Sequence, residues 1–471
     1  GSNNNLSLLE VLQNYPSSEI TIDGVRLARL GKNIDKFKQS GGVGGAVVDL
    51  EGWLVQLQAS AAEEMCVCNG EGGTVSPELL TDIKPVVSPA ISESQLAEFL
   101  PANWQPVSSH REDRGIIKVV WLQGTPYEMG YQHGKLLHDE IASIGDEVLT
   151  ALRFAGKGLA LGRLATRRSY DDVVAECQGL ADATQDIGMT VDACMVLAYG
   201  DVYQEIFSYT LPKELFWDGC NQFVAANQAT ADGRLYHGSS VDNDGKPIPY
   251  IINNPVVFVR QPTGKLPHAF VTYPGVVWPN SGVNVAGISL GLDTAHPADP
   301  QELALDGRSN VQIMRSILET ATNFEEASGI LETQPRVRAN LIMITDGKTK
   351  QAGVFEFTGK SLEVRPLQEN GVLYVTNHFV TEEMYDKQPL PIDPSSKSRF
   401  ERFQQLMEPD GVSTYYGKFE PETMVKVLRD RVNPNTMQPS PFDVFDDNAS
   451  PGGNGSLRQA LYDPDRLLLW V

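Results

Sequence analysis

The strongest chemical signal in this sequence is a cysteine that follows a glycine and opens an extended run. Trp217-Asp218-Gly219-Cys220-Asn221-Gln222-Phe223-Val224-Ala225-Ala226-Asn227 leads to the turn Asp232-Gly233 and to a second extended run over residues 234–239. An Asp-Gly turn between two such runs predicts a β-hairpin whose first residue is Cys220. Gly219 has no side chain to obstruct the Cys220 thiol as it approaches the Gly219 carbonyl. That arrangement suits self-cleavage: the thiol attacks the carbonyl, the amide becomes a thioester, and water releases a new amino terminus at Cys220. A free α-amine has a reference pKa of about 7.7–8.0, so near neutral pH it can take the proton of its own residue's thiol. Nucleophile and base then travel together, and the thiolate is the reactive species.

The rest of the composition narrows the function class. Against 38 Lys and Arg stand 60 Asp and Glu, and the net charge of −22 would repel a phosphate backbone and the anionic face of a membrane. Neither nucleic acid nor a membrane is an expected partner. The acidity reads as a solubilising surface, with recruitment of a cationic substrate as the second reading. No apolar run approaches the roughly 20 residues a membrane helix needs, and the Gly1-Ser2-Asn3-Asn4-Asn5 start has no signal-peptide pattern, so a cytoplasmic location is expected. Five cysteines in 471 residues do not make a disulfide framework, and the odd number leaves a thiol over. Cys66-Val67-Cys68 lacks a second pair at zinc-ligand spacing, and no metal or cofactor is expected. Cys177 and Cys194 fall in helical patterns and read as small buried apolar residues.

A chain of this length holds one large domain or two to three ordinary ones. Residues 1–112 have the texture of an accessory segment: a short amphipathic helix near residues 6–12, glycine clusters at 41–45 and 70–73, and spaced prolines from 77 to 106. The first glycine cluster lacks the Gly-Lys-Ser/Thr ending of a phosphate loop. A lid over the cleft, a propeptide and an oligomerisation arm are the candidate roles for this segment. Residues 116–123 predict a strand, and Thr125-Pro126-Tyr127-Glu128 predicts a capped helix start. Further helices are expected over residues 170–183 and 191–207, which makes residues 113–219 mainly helical. After Cys220, short strands alternate with turns at Asp232-Gly233, Asp346-Gly347 and Asn370-Gly371, each a hairpin signal. Helices interrupt them at 310–322, 324–333 and 398–407, and residues 456–471 predict a closing strand, turn and strand. Helices, hairpins and helices in one chain predict an α+β architecture, with helical layers outside antiparallel sheets.

Four blocks then carry a resemblance: Gly124-Thr125-Pro126-Tyr127-Glu128-Met129-Gly130-Tyr131-Gln132-His133-Gly134, Asp218-Gly219-Cys220, Thr376-Asn377-His378 and Ser398-Arg399-Phe400-Glu401-Arg402. In this order, over residues 113–471, the chain resembles the acyl-coenzyme A:6-aminopenicillanic acid acyltransferase-like cysteine peptidases of the N-terminal-nucleophile hydrolase superfamily. The resemblance implies a four-layer αββα sandwich and maturation into chains of residues 1–219 and 220–471. It implies Cys220 as nucleophile and Asp242 as the carboxylate on the return strand that holds the α-amine. Asn377 would donate to the oxyanion, and Arg399, at a helix opening Ser398-Arg399, would sit beside the nucleophile. Fixed N–H donors stabilise the charge of a tetrahedral intermediate more than they stabilise the substrate.

Two positions depart from the related bile-salt hydrolases and penicillin V acylases. That branch has an arginine shortly before the aspartate, where this chain reads Gly238-Ser239-Ser240-Val241-Asp242, which lowers the case for either activity. It also has an asparagine in a Gly-Leu-Asn strand, where this chain reads Gly291-Leu292-Asp293. An ionised Asp293 cannot donate a hydrogen bond, so it stays out of the oxyanion hole or binds an amine.

Other readings stand beside these. His133 is a candidate acid or base, or a filler between helix and sheet. His378 is the candidate base of a thiol-protease reading with Cys220. Trp278-Pro279-Asn280 lines the cleft or forms a hairpin tip. The expected reaction is hydrolysis or transfer of an acyl group from a small amide through a Cys220 thioester, in an enzyme that works as its two cleaved chains, with a homo-oligomer as a candidate assembly. A phospholipase B-like ester hydrolase and a non-catalytic scaffold on the same fold are the alternatives.

Overall fold

A computed structural model describes residues 85–158, 161–208, 219–242, 250, 253–304, 307–439, 450–453 and 456–471. The helix expected near residues 6–12, both N-terminal glycine clusters, Cys66 and Cys68, and Trp217-Asp218 lie outside the described residues. Among the described residues, helices of seven or more residues are numbered here. They are α1 (Glu93–Phe99), α2 (Pro126–Leu136), α3 (Asp146–Arg153), α4 (Leu161–Arg168), α5 (Asp171–Ala183), α6 (Val191–Ala198), α7 (Gly200–Ser208), α8 (Asn310–Thr320), α9 (Phe324–Thr333), α10 (Pro394–Met407) and α11 (Pro421–Leu428).

The strands form two sheets. The larger has the order β1-β2-β5-β6-β7-β8-β9-β10-β11: β1 (His110–Arg114), β2 (Ile117–Gly124), β5 (Val256–Pro262), β6 (His268–Thr272), β7 (Ser281–Asn284), β8 (Ile288–Thr294), β9 (Asn340–Asp346), β10 (Gln351–Phe357) and β11 (Leu362–Pro366). The smaller has the order β12-β3-β4-β13-β14: β3 (Gly219–Asn227), β4 (Gly233–Asp242), β12 (Val372–Val375), β13 (Ser456–Asp463) and β14 (Leu468–Trp470).

Side-chain alternation sorts each strand's residues between two cores. On β3, Val224 and Ala226 face β9 and β10 through Leu341, Met343 and Val354, which closes the sheets on each other. Phe223 and Ala225 face the other way, against Phe403, Leu406 and Met407 of α10 and Met424 and Val427 of α11. On β8, Leu290 turns outward with Val256 and Phe258 of β5 toward Cys177 and Leu180 of α5 and Ile313 and Ile317 of α8. Each fully buried side chain of this size stabilises the fold by roughly 1.5–3 kcal/mol. The result is the four-layer αββα sandwich, with both sheets inside.

The block 124–134 builds the helical layer. Thr125 and Glu128 form a reciprocal capping box at the start of α2. A side chain at Gly130 would meet the Glu176 carbonyl at 2.0 Å, and one at Gly179 the Tyr127 carbonyl at 2.0 Å, so α2 and α5 touch backbone to backbone. Gln132 bonds both polar groups of the Gln123 backbone. His133 fills the helix–sheet interface: it is fully buried 4.6 Å from the Phe258 ring, and its Nε2 accepts the Gly275 N–H. Burial pulls its pKa down to about 3, which keeps the ring neutral.

Four expectations about the elements change. Asn370-Gly371 is no hairpin, because β11 ends the larger sheet and β12 begins the smaller. Gly371, at φ +80°, instead turns the chain between sheets, and its carbonyl accepts the Ala226 N–H. The helix expected at 398 starts four residues earlier, because Asp393 caps it and Pro394 occupies its first turn, so Arg399 sits in the second turn. The helix expected over 191–207 breaks at Tyr199 into α6 and α7. The β2–β5 pair is parallel, as two strands far apart in the chain and joined by a long crossover can be.

Cys177 and Cys194 form a disulfide joining α5 to α6, with Cα atoms 5.5 Å apart. Two isolated helical patterns give no hint that their cysteines meet. The bridge closes a loop over a sequence separation of 17. For a loop of that order, reduction is expected to cost about 3 kcal/mol of stability. Denaturant titrations with and without a phosphine reductant check this; an unchanged midpoint would show that the bridge contributes nothing.

Candidate active site

Cys220 is the second residue of β3, is buried and is not part of a disulfide. It pairs with Val241, while Gly219 pairs with Asp242 at the end of β4. The Cys220 backbone is held from outside the sheet at both of its polar atoms. Its N–H donates to Asn377 Oδ1 at 3.0 Å, and its carbonyl accepts Arg399 Nη1 at 2.5 Å. Arg399 closes the triangle by donating Nη2 to Asn377 Oδ1 at 2.7 Å and is itself steadied by Ser395 Oγ at 3.2 Å. Asn377 Nδ2 donates to the Thr294 carbonyl at 2.9 Å. Three elements thus meet at one residue: β3, the turn after β12, and α10.

The turn is fixed by hydroxyls. Ser396 Oγ accepts the Asn377 N–H at 2.8 Å and lies 2.7 Å from His378 Nδ1, while Thr376 Oγ1 donates to the Ser396 carbonyl. Burial draws the His378 pKa down to about 4, with Arg399 and Arg365 pushing the same way. A neutral ring bonded to these hydroxyls supports the turn that carries Asn377.

Asp242 accepts Asn221 Nδ2 at 2.9 Å and Ser240 Oγ at 2.5 Å. Asp293 lies on β8, one residue before Thr294, with Gly291 on the same face against the Gln222 side chain. Asp293 is fully buried, and among the described residues neither carboxylate oxygen has a hydrogen-bond partner. Burial drives its pKa well above the usual carboxylate range; nearby Gln222 and Arg399 draw it down, and Asp242 pushes it up. Burial thus favours the neutral form of Asp293, the form that has a hydrogen to donate. Trp278 donates Nε1 to the Leu197 carbonyl at 2.9 Å and packs against the helix-side core. No cluster of three or more His, Cys, Asp or Glu suited to a metal occurs among the described residues, and no helix among them is long and apolar enough to cross a membrane.

Residues 249–468, just under half of the sequence, match the family described as acyl-coenzyme A:6-aminopenicillanic acid acyl-transferase. Over that stretch the chain is similar to this family. The matched stretch of the acyl-transferase family contains Asp293, Asn377, His378 and Arg399, and begins after Cys220 and Asp242. An uncharacterized protein of Archaeoglobus fulgidus is 27% identical over 311 residues, covering 57% of this chain; the chain spans 51% of that relative's length. A Caenorhabditis elegans N-acylethanolamine-hydrolyzing acid amidase ortholog is similar at 16% identity and a TM-score of 0.37, covering 54% of this chain and 99% of its own. Penicillin V acylase from Agrobacterium tumefaciens is similar at 13% identity and a TM-score of 0.32, covering 53% of this chain and 81% of its own.

One neighbour of the thiol escaped the sequence reading. Arg458 of β13 pairs with Val241, which pairs with Cys220. A charged residue in an otherwise alternating closing strand was the available signal, and it was indistinguishable from a solvent-facing position.

Proposed function

We propose that this chain is a self-processing cysteine amidohydrolase of small amide substrates. It cleaves itself between Gly219 and Cys220, then carries the substrate's acyl group as a Cys220 thioester and passes it to water. The observation that carries this reading is the grip of Asn377 and Arg399 on the Cys220 backbone. Both contacts are made by atoms that survive cleavage. Once the Gly219–Cys220 bond is hydrolysed, the same nitrogen is an amine facing the same Asn377 oxygen. Its remaining lone pair is then free to take the thiol proton. Arg399, a fixed cation nearby, disfavours protonation of that amine and so favours the basic form.

In the acylation step the thiolate sulfur bonds to the substrate carbonyl carbon, and the π electrons move to oxygen. Collapse breaks the C–N bond as the Cys220 ammonium returns its proton to the leaving nitrogen. Water then attacks the thioester with the amine again as base. Asn377 spends one Nδ2 hydrogen on Thr294 and has a second for the oxyanion. Asp293, as the neutral acid, supplies another donor. The arrangement that supports this role for Asp293 also separates it from a charged one. Asp293→Asn is expected to keep turnover within about tenfold, whereas Asp293→Ala loses about 10²-fold in kcat. Steady-state rates of the two variants check it; loss of activity in Asp293→Asn would assign the group to amine binding instead.

The test of the whole reading is the intact mass of denatured protein: two fragments of 219 and 252 residues in the parent, and one chain in Cys220→Ala. A single parental chain would favour the scaffold. The Cys177–Cys194 disulfide supports an oxidising compartment rather than the cytoplasm, because thiols there are kept reduced.

A further inference from the structure

Cys220, Val241 and Arg458 lie directly opposite one another on the adjacent strands β3, β4 and β13. Paired residues leave a sheet on the same side, so the thiol and the guanidinium share a face. It is the face turned to the larger sheet, because the next residues on that side of β13, Ala460 and Tyr462, pack on Val257, Val271 and Val283. Two strand spacings put the two Cα atoms about 10 Å apart.

Arg458 is only 7% exposed. Its Nη2 donates to Asn280 Oδ1, and its guanidinium carbon lies 3.8 Å from the centroid of the Tyr273 ring. Asn280 and Tyr273 both flank the β6–β7 connection of the facing sheet, so the side chain reaches across the space between the sheets. Among the described residues it makes no ion pair, and neither Nε nor Nη1 has a hydrogen-bond partner. Three other buried arginines are matched: Arg260 and Arg315 hold Glu176, and Arg402 holds Asp430. A buried cation without a counter-charge is a costly element in a folded chain, and this one is positioned by a ring face and an amide rather than neutralised. Burial draws its pKa below the usual guanidinium range; Tyr273, Tyr462 and the Cys220 thiol pull it back up.

We propose that Arg458 is the anion-binding group of the substrate site and takes a carboxylate a few bonds from the carbonyl that Cys220 attacks. The inference rests on the Cys220 amidohydrolase reading. A planar carboxylate suits the N–H edges of a single guanidinium and supplies a negative charge to match it. The enzyme would then prefer acidic amides, such as N-acyl amino acids or amides of dicarboxylic acids, over their neutral analogues.

The test measures how probes protect Cys220 of the full, matured chain from alkylation by iodoacetamide. N-decanoylglycine is compared with N-decanoylglycinamide, and glutaryl-p-nitroanilide with butyryl-p-nitroanilide. In at least one pair the acid is expected to half-protect at a concentration tenfold or more below its neutral partner, and Arg458→Gln brings the ratio near one. Parity of both pairs in the parent, or a preference that survives Arg458→Gln, overturns the inference while leaving the amidohydrolase reading intact. A parental chain uncleaved at Cys220 removes both. Arg458→Met separates binding from folding. With no counter-charge lost, its Tm should equal or exceed that of the parent, and a drop of several degrees would make Arg458 a structural residue and overturn the proposal.

Discussion

Cys220→Ala is expected to leave one 471-residue chain where the parent yields two, and to lower amidase turnover by about 10⁴-fold or more. The variant loses both attacks that the thiol makes: the one on Gly219 and the one on substrate. It should nevertheless fold. The contacts that fix residue 220 run through its backbone to Asn377 and Arg399 and across β3 to Val241, and alanine keeps all of them. Only one sulfur atom is removed from a strand whose other side chains stay packed. Circular dichroism and Tm should therefore match the parent closely. Peptide mapping after iodoacetamide treatment completes the experiment, because Cys66 and Cys68 also carry sulfur. Label on the first residue of the 252-residue chain identifies the nucleophile, and cleavage persisting in Cys220→Ala would place the chemistry elsewhere.

The features of this fold that could be read from residue types are those whose signal is local. The capping box of Thr125 and Glu128 and the turn at Asp232-Gly233 each involve residues close in sequence, so their chemistry is complete within a short window. The position of Cys220 at the start of a strand follows from the same hairpin. What could not be read depends on partners distant in the chain. Asn370-Gly371 has hairpin composition, but turn chemistry says only that the chain reverses, not which sheet receives the next strand. The Cys177–Cys194 bridge needs the relative placement of two helices. Asn377 and Arg399 came through resemblance, since nothing about an asparagine after a strand or an arginine in a helix says that one donates to the other. Asp393-Pro394 was a readable helix start that the motif at Ser398-Arg399 obscured.

The protonation of Asp293 was illegible in the sequence for a related reason. Its ionisation depends on how completely the facing sheet excludes water, and burial of that position is a property of the packed sandwich. The same holds for Arg458, whose strand pattern alone does not reveal that its head group ends between two sheets rather than in solvent.

Arg399→Met is expected to slow self-cleavage and to lower kcat by about 10²–10³-fold while changing KM little. Arg399 is 1% exposed and donates to the Cys220 carbonyl and Asn377 Oδ1 at once. A hydrogen bond to a charged group contributes about 1.5–3 kcal/mol, and removing the guanidinium weakens the hold on both residues on which the chemistry depends. The loss falls on kcat, because the contacts fix the nucleophile and the Asn377 turn rather than the body of the substrate. Arg399→Lys should recover little, since one ammonium lacks the planar fork that bridges the two oxygens. The decisive readout is the pH dependence of Cys220 alkylation in whatever matured fraction each variant yields. Arg399 is a positive charge close to the amine, and like charges disfavour each other. Its removal should raise the amine's pKa and move the alkylation profile to higher pH. A variant that is less stable but alkylates with the parental profile would make Arg399 a packing residue; an alkaline shift at unchanged Tm would make it the group that sets the basicity of the new amino terminus.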